Sequence, residues 1–168
     1  ARLMIPIRDI QGRVIAFSGR QLPFVEASMD PAKEAKYINS PETPLFSKGQ
    51  ILFNLDTARQ YVDKIPYMFL VEGQLDALRC YEKGLKTAVA PQGTGITESQ
   101  LKLIQRYENP LICFLDGDVA GQKAGLRLFE MALKVGLSVR FWVLEKEKDP
   151  DAFLLNRSDV SLKEVEAQ

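Results

Sequence analysis

"PLICFLDGD", residues 110–118, runs five apolar residues (Leu111, Ile112, Cys113, Phe114 and Leu115) into two aspartates, Asp116 and Asp118, with only Gly117 between them. The run lacks the alternation of a half-exposed strand. It reads as a short strand buried on both faces, as in a parallel sheet covered by helices. The two acids then stand at the strand's carboxyl end, beside the core. Like charges that close together repel, so the pair needs a cation or a local structural use.

The same rhythm recurs on either side. "YMFLVEG" (67–73) is an apolar run ending in Glu72-Gly73, "KTAVA" (86–90) is a short strand, and "SVRFWVLE" (138–145) is a fourth run followed by "KEKDPDAFLL". Helical patterns lie between them. "QLDALRCYEKG" carries Leu75, Leu78 and Cys80 at helical spacing and stops at Gly84. Thr97 caps "TESQLKLIQRY", and residues 120–135 form the longest helix. Alternating strands and helices predict an α/β fold with a central parallel sheet flanked by helices. In such sheets, ligands bind beyond the carboxyl ends of the strands, at a topological switch point.

Upstream, "LMIPIRD" and "RVIAFSGR" predict a β-hairpin turning at Ile10-Gln11-Gly12. Residues 21–49 read as irregular, broken by Pro23, Pro31, Pro41 and Pro44. A short helix is expected from Asp56 to about Val62. The expected organisation is a small mixed subdomain with the hairpin (1–64), the parallel-sheet domain (65–156) and a polar helical tail (157–168).

Composition narrows the function. Lys+Arg and Asp+Glu each number 22, so nucleic acid would have to be held by a local basic patch and not by bulk charge. There is no histidine, which removes the commonest general base and the commonest transition-metal ligand. Cys80 and Cys113 sit singly in apolar patterns. They lack zinc spacing and read as buried reduced thiols of a cytoplasmic protein. No apolar run approaches the ~18 residues of a membrane helix, and no signal peptide is visible. The chain opens in mid-pattern, without methionine, as a piece of a longer protein would.

Three strand ends carry acid: Glu72 on the first run, Asp116 and Asp118 on the third, Asp149 and Asp151 after the fourth. The connection rule puts all three ends on one edge of the sheet. Five converging carboxylates repel unless a cation joins them, and an all-oxygen set suits a hard ion, Mg²⁺ or Mn²⁺. Gly117 and Gly73 would allow tight turns and close approach of a phosphate. Asp76, four residues past Glu72 in the first turn of the next helix, would support the site. Singly, plainer uses exist: Asp118 as an N-cap, Asp76 at a helix N-terminus, Asp149-Pro150-Asp151 as a turn. Glu72 has no such use.

"FLVEGQLDAL" (69–78), "AVAPQGTGIT" (88–97), "CFLDGDVAGQKA" (113–124) and "KDPDAFL" (148–154), in this order, resemble the TOPRIM domain shared by primases and topoisomerases. "IPIRDIQGRVIAFSGR" (5–20) and "KYINSPETPLFSKGQILFNLDTA" (36–58) resemble bacterial replicative primases of the DnaG type. The resemblance implies a DNA-dependent RNA polymerase making short primers on single-stranded DNA from ribonucleoside triphosphates. It implies that Glu72, Asp116 and Asp118 bind the catalytic divalent metals, with Asp76, Asp149 and Asp151 extending the cluster. It also implies a basic ridge for template and nucleotide that includes Arg20, Lys36 and Lys48. Tyr37 is a candidate for stacking on a base.

The family's zinc-binding domain and its helicase-binding domain match nothing here. Zinc and the replicative helicase are therefore expected only in parts outside this chain, which alone is expected to be inactive. The chain departs from the family in Gln74-Leu75, where Tyr-Met is usual, and in Gln122, where arginine is usual and Lys123 can substitute. It also carries an apparent insertion, residues 22–35. Three rivals remain. One is another TOPRIM enzyme, a topoisomerase or nuclease. The second is a haloacid-dehalogenase-like phosphatase, against which the late position of the Asp-x-Asp pair counts. The third is a non-catalytic nucleic-acid-binding module.

Overall fold

The computed structural model describes residues 1–23, 35–93, 95–116, 118–142, 144, 149–155, 157, 158 and 160. They form two sheets. The first is antiparallel, β1 (Arg2–Arg8), β2 (Val14–Gln21) and β3 (Tyr37–Asn39) in that order. The second contains β4 (Leu52–Phe53), β5 (Met68–Leu70), β6 (Ala88–Pro91), β7 (Leu111–Cys113) and β8 (Val139–Phe141), in the order β4-β6-β5-β7-β8. Strands β5 to β8 are mutually parallel, and β4 joins β6 antiparallel. The helices are α1 (Leu55–Ala58), α2 (Gln74–Glu82), α3 (Glu98–Gln105), α4 (Val119–Val135) and α5 (Pro150–Leu155).

The expected α/β class, with a hairpin ahead of a helix-flanked parallel sheet, is what forms. Every residue of β5, β6 and β7 is buried, because helices cover both faces. Phe69, Val71, Phe114 and Trp142 pack with α2 and α5 on one face. Met68, Leu70, Val89 and Cys113 pack with α3 and α4 on the other. Both thiols are buried, and burial pushes their pKa values well up. From β5 the chain steps to β6 on one side and later to β7 on the other. The switch point therefore lies at the carboxyl end of β5, next to Glu72.

Elsewhere the structure departs from the pattern. Two short strands stand where none was expected. In the stretch read as irregular, β3 pairs Tyr37 with Arg20, Ile38 with Gly19 and Asn39 with Ser18; beyond that stretch, β4 pairs with β6. Strands of three and two residues show no periodicity, and pairing alone makes them strands. The helix from residue 56 ends at Ala58 and not near Val62. Beyond Ala58 the backbone tightens to three-residue turns, Gln60 N–H to Thr57 O and Tyr61 N–H to Ala58 O, both 3.0 Å. At the sheet edge, β8 leaves Arg140 and Phe141 exposed although its run reads as core. Most of the proposed insertion and tail lies outside the described residues. Val160 is buried, with its N–H on Lys83 O at 3.0 Å. Among the described residues no helix is long and apolar enough to cross a membrane.

Candidate functional site at the carboxyl rim of the sheet

Glu72 leaves β5 after the buried Val71 and is itself exposed. Its Oε1 accepts a hydrogen bond from the Asp116 backbone N–H at 3.2 Å, joining two strand ends 44 residues apart. The first turn of α4 is pressed against the same point. A Cβ on Gly121 would lie 2.2 Å from Asp116 O and 3.1 Å from Glu72 Oε1, so only glycine fits there.

Most of the other acids have local partners. Asp118 is the N-cap of α4, its Oδ1 accepting from Gly121 N–H at 2.7 Å. Asp76 Oδ2 accepts from Gly73 N–H at 3.0 Å. Gly73 is extended, with φ −118°, so no left-handed turn calls for glycine. It makes room instead: a Cβ there would meet Asp76 Oδ2 at 2.7 Å. Asp149 Oδ1 accepts from Ala152 N–H at 2.6 Å at the start of α5. Asp151 pairs with Arg79 at 2.6 Å, and Arg79 also reaches Glu82. Asp116 differs: its Oδ1 is buried with no hydrogen-bond partner. Gly117 lies outside the described residues.

The acids feel one another. Burial pushes the Asp116 carboxyl up to about 6, and the charges of Glu72, Asp76, Asp149 and Asp118 add to the rise. Asp76 is likewise pushed up to about 6, by burial first and then by Asp149, Asp151 and Glu72, against the opposing Gly73 hydrogen bond. Among the described residues no three acids stand ready as a closed metal cage. The donor chemistry nonetheless fits a hard divalent cation: carboxylate oxygens, no histidine or cysteine, and one buried orphan oxygen on Asp116 beside Glu72.

These shifts couple to stability. Each carboxyl is more basic in the folded chain than in the unfolded one. The stability it contributes is fully present below about pH 3.8 and is lost as pH rises through about 6. A rise of two units in a fully buried group is about 3 kcal/mol; partial exposure of both groups lowers this to about 1–2 kcal/mol each. Asp116→Asn is therefore expected to stabilise the metal-free chain by about 1 kcal/mol at pH 7.5 and hardly at all at about pH 3, measured by urea denaturation. Mn²⁺ should raise the urea midpoint of the parent at pH 7.5 and leave the variant's unchanged. Equal effects at both pH values would exclude strain between carboxylates as the source.

Of the basic candidates, Lys48 lines an adjoining cleft. Between the antiparallel sheet and the rim opens a space of about 440 Å³, lined among others by Tyr37, Asn39, Lys48, Glu72, Gln74 and Gln92. Arg20 Nη1 donates to Tyr37 Oη at 2.6 Å, and its guanidinium lies 5.3 Å from the Tyr37 ring centre. Lys36 is exposed next to them, and Lys123 is exposed on α4 without lining the cleft. The walls are tied together. Asn39 Nδ2 donates to Gln92 O at 3.0 Å. Buried Gln100 donates to Lys48 O and Ile51 O, both at 2.8 Å.

Ser18, Asn39 and Gln92 of this wall were not legible as functional residues, and Gln74 showed only as a departure from the family pattern. The one sequence signal was polar residues amid short apolar strands. Ser18 Oγ, Asn39 Oδ1, Gln74 Oε1 and Gln92 Nε2 are all buried without a partner. Such atoms cost about 1–3 kcal/mol each when left unsatisfied.

Residues 69–154, which carry the helix-flanked parallel sheet and the acids at its carboxyl rim, match the family described as Toprim-like. Residues 1–59 match the DNA primase catalytic core, N-terminal domain. The DNA primase of Aquifex aeolicus is 39% identical over 153 residues, covering 91% of this chain and 29% of that protein. The crystal structure of the Aquifex aeolicus primase zinc-binding and RNA polymerase domains superposes with a TM-score of 0.85 at 37% identity, covering 99% of this chain and 39% of that one. A DnaG primase catalytic domain bound to ssDNA superposes with a TM-score of 0.82 at 37% identity, covering 99% and 50%. The chain belongs to the DnaG-type DNA primase family. It spans less than a third of the Aquifex aeolicus primase's length.

Proposed function

We propose that the chain forms the metal- and nucleotide-binding part of a primase, a DNA-dependent RNA polymerase that lays short RNA primers on single-stranded DNA. The observation that carries this reading is the Glu72–Asp116 hydrogen bond. It brings acids from two distant strand ends together beside a cleft lined by Lys48 and Tyr37. In primer synthesis the 3′-hydroxyl oxygen of one nucleotide bonds to the α-phosphorus of the next, loses its proton and expels pyrophosphate. Glu72, Asp116 and Asp118 would hold Mg²⁺ or Mn²⁺, which when bound offsets the charge that develops on the phosphate oxygens.

The remaining work falls to the chain's own groups. Asp76, Asp149 and Asp151 extend the negative rim around that position. Lys48 and Arg20 supply fixed positive charge for phosphates, with exposed Lys36 and Lys123 as further contacts. Tyr37, braced by Arg20, offers a ring face to a base. Ribonucleoside triphosphates and a single-stranded template are the substrates on this reading. Zinc and the replicative helicase would be engaged by other parts of such a polymerase, and the compartment is the cytoplasm. Spanning less than a third of the Aquifex primase, the chain alone is expected to bind substrates without joining them.

The test restores the rest. In the Aquifex aeolicus primase, the 153 matching residues are replaced by those of this chain. The hybrid is expected to synthesise short RNA on single-stranded DNA with Mg²⁺ or Mn²⁺ and to leave supercoiled DNA unrelaxed. Relaxation without RNA synthesis would favour the topoisomerase reading.

A further inference from the structure

Gln74 and Gln92 stand side by side in the wall of the cleft that Glu72 and Lys48 also line. Gln74 opens α2, and Gln92 directly follows β6. They are 6% and 2% exposed, so both side chains are packed into the wall with little surface open to bulk solvent. Gln74 Nε2 donates to Gln92 Oε1 at 2.7 Å, which uses half of each amide. Gln74 Oε1 and Gln92 Nε2 are left buried and unpartnered. Whichever way round the two amides are turned, one carbonyl oxygen and one NH₂ remain. Ser18 Oγ and Asn39 Oδ1, in the same wall, are also unpartnered. Buried polar groups in folded proteins are nearly always satisfied, so a wall with four open ones is built for something that enters the cleft.

The chemistry of the four atoms selects the occupant. All are neutral, and they mix donors with acceptors. A phosphate only accepts, and it would face the bare oxygens of Gln74 and Asn39. An apolar group would satisfy none of them. A hydroxyl donates and accepts at once, and it matches the open amide oxygen and the open amide NH₂ that the pair leaves. We propose that the Gln74–Gln92 pair recognises the ribose 2′-hydroxyl of a nucleotide in the cleft and thereby selects ribonucleotides over deoxyribonucleotides. The inference rests on the cleft's being the nucleotide site, and it adds the group that distinguishes the sugar. The 2′-hydroxyl is the one handle that separates the two sugars, and a site built to bond a hydroxyl rejects the analogue that lacks it.

The test is a titration of the ¹⁵N-labelled chain with Mg²⁺ and either ATP or 2′-deoxy-ATP, followed at the side-chain amide signals of Gln74 and Gln92. ATP is expected to shift both amides and to bind about tenfold or more tighter than 2′-deoxy-ATP. The double variant Gln74→Met/Gln92→Met keeps bulk and length and removes both amides together, leaving neither half-satisfied. In it the preference is expected to fall to about onefold, with 2′-deoxy-ATP bound as in the parent. Equal binding of the two nucleotides by the parent overturns the assignment and leaves the nucleotide site standing. So does an undiminished preference in the double variant. Failure of both nucleotides to bind removes the nucleotide reading of the cleft, and the proposal with it. Should the double variant not fold, the ratio measured on the parent decides alone.

Discussion

Asp118→Asn is expected to reduce primer synthesis by the hybrid polymerase by about a thousandfold or more while leaving the fold intact. The substitution separates two uses of one side chain. As an N-cap, Asp118 needs only an oxygen for the Gly121 N–H. Asparagine keeps that oxygen and caps as well as aspartate, so a residue that merely caps would lose nothing. As a cation ligand, Asp118 needs its charge, which asparagine lacks. Near-normal synthesis would reduce Asp118 to a helix cap and leave Glu72 and Asp116 without their third partner. Urea midpoints of parent and variant, compared in EDTA, report the fold independently of activity. Asp118→Ala, which removes both the cap oxygen and the charge, should lose stability by about 1 kcal/mol as well as synthesis.

Phe114→Ala is expected to cost about 3–5 kcal/mol, a large share of the roughly 5–15 kcal/mol that holds a domain of this size. Phe114 is fully buried. Its ring stacks on Trp142 with centres 4.6 Å apart, and it meets the edge of Phe153 at 5.7 Å. Trp142 and Phe153 touch each other at 5.8 Å. The three rings join β7, the segment after β8, and α5. Phe114 lies two residues before Asp116, and Phe153 two residues after Asp151. Loss of the ring should therefore loosen both acidic segments along with the core. Urea unfolding checks the energy, and Mn²⁺ titration of the variant's midpoint checks the rim. A cost below about 1.5 kcal/mol would mean that neighbouring side chains collapse into the space, and the cluster would then not hold the rim in place.

The strands that organise the molecule were legible because their burial is written into composition. Runs such as Leu111 to Leu115 are apolar throughout, and a strand covered on both faces must be. The caps were legible too: Thr97 and Gln100 exchange the two hydrogen bonds of a capping box, 3.2 and 2.9 Å, using residues three apart. The acids at three strand ends could be assigned to one edge, because parallel strands with right-handed crossovers permit no other arrangement.

Other features carry no local mark. β3 and β4 are strands only because β2 and β6 lie beside them. Gly73 was expected to turn the chain and instead clears space for the Asp76 carboxylate. The pairing of Gln74 with Gln92 spans 18 residues and two elements, and nothing in either neighbourhood announces it.

Residue order alone settled the class of fold, the rim on which the acids fall and the family motifs, since hydrophobic period, capping and crossover handedness act over a few neighbours or through general topology. Folding in three dimensions determined which carboxylate oxygen was left bare, how strongly the acids raise one another's pKa, and that two glutamines would meet in a dry wall. Those properties depend on distance and on the exclusion of water, and both exist only once segments far apart in the chain have packed together.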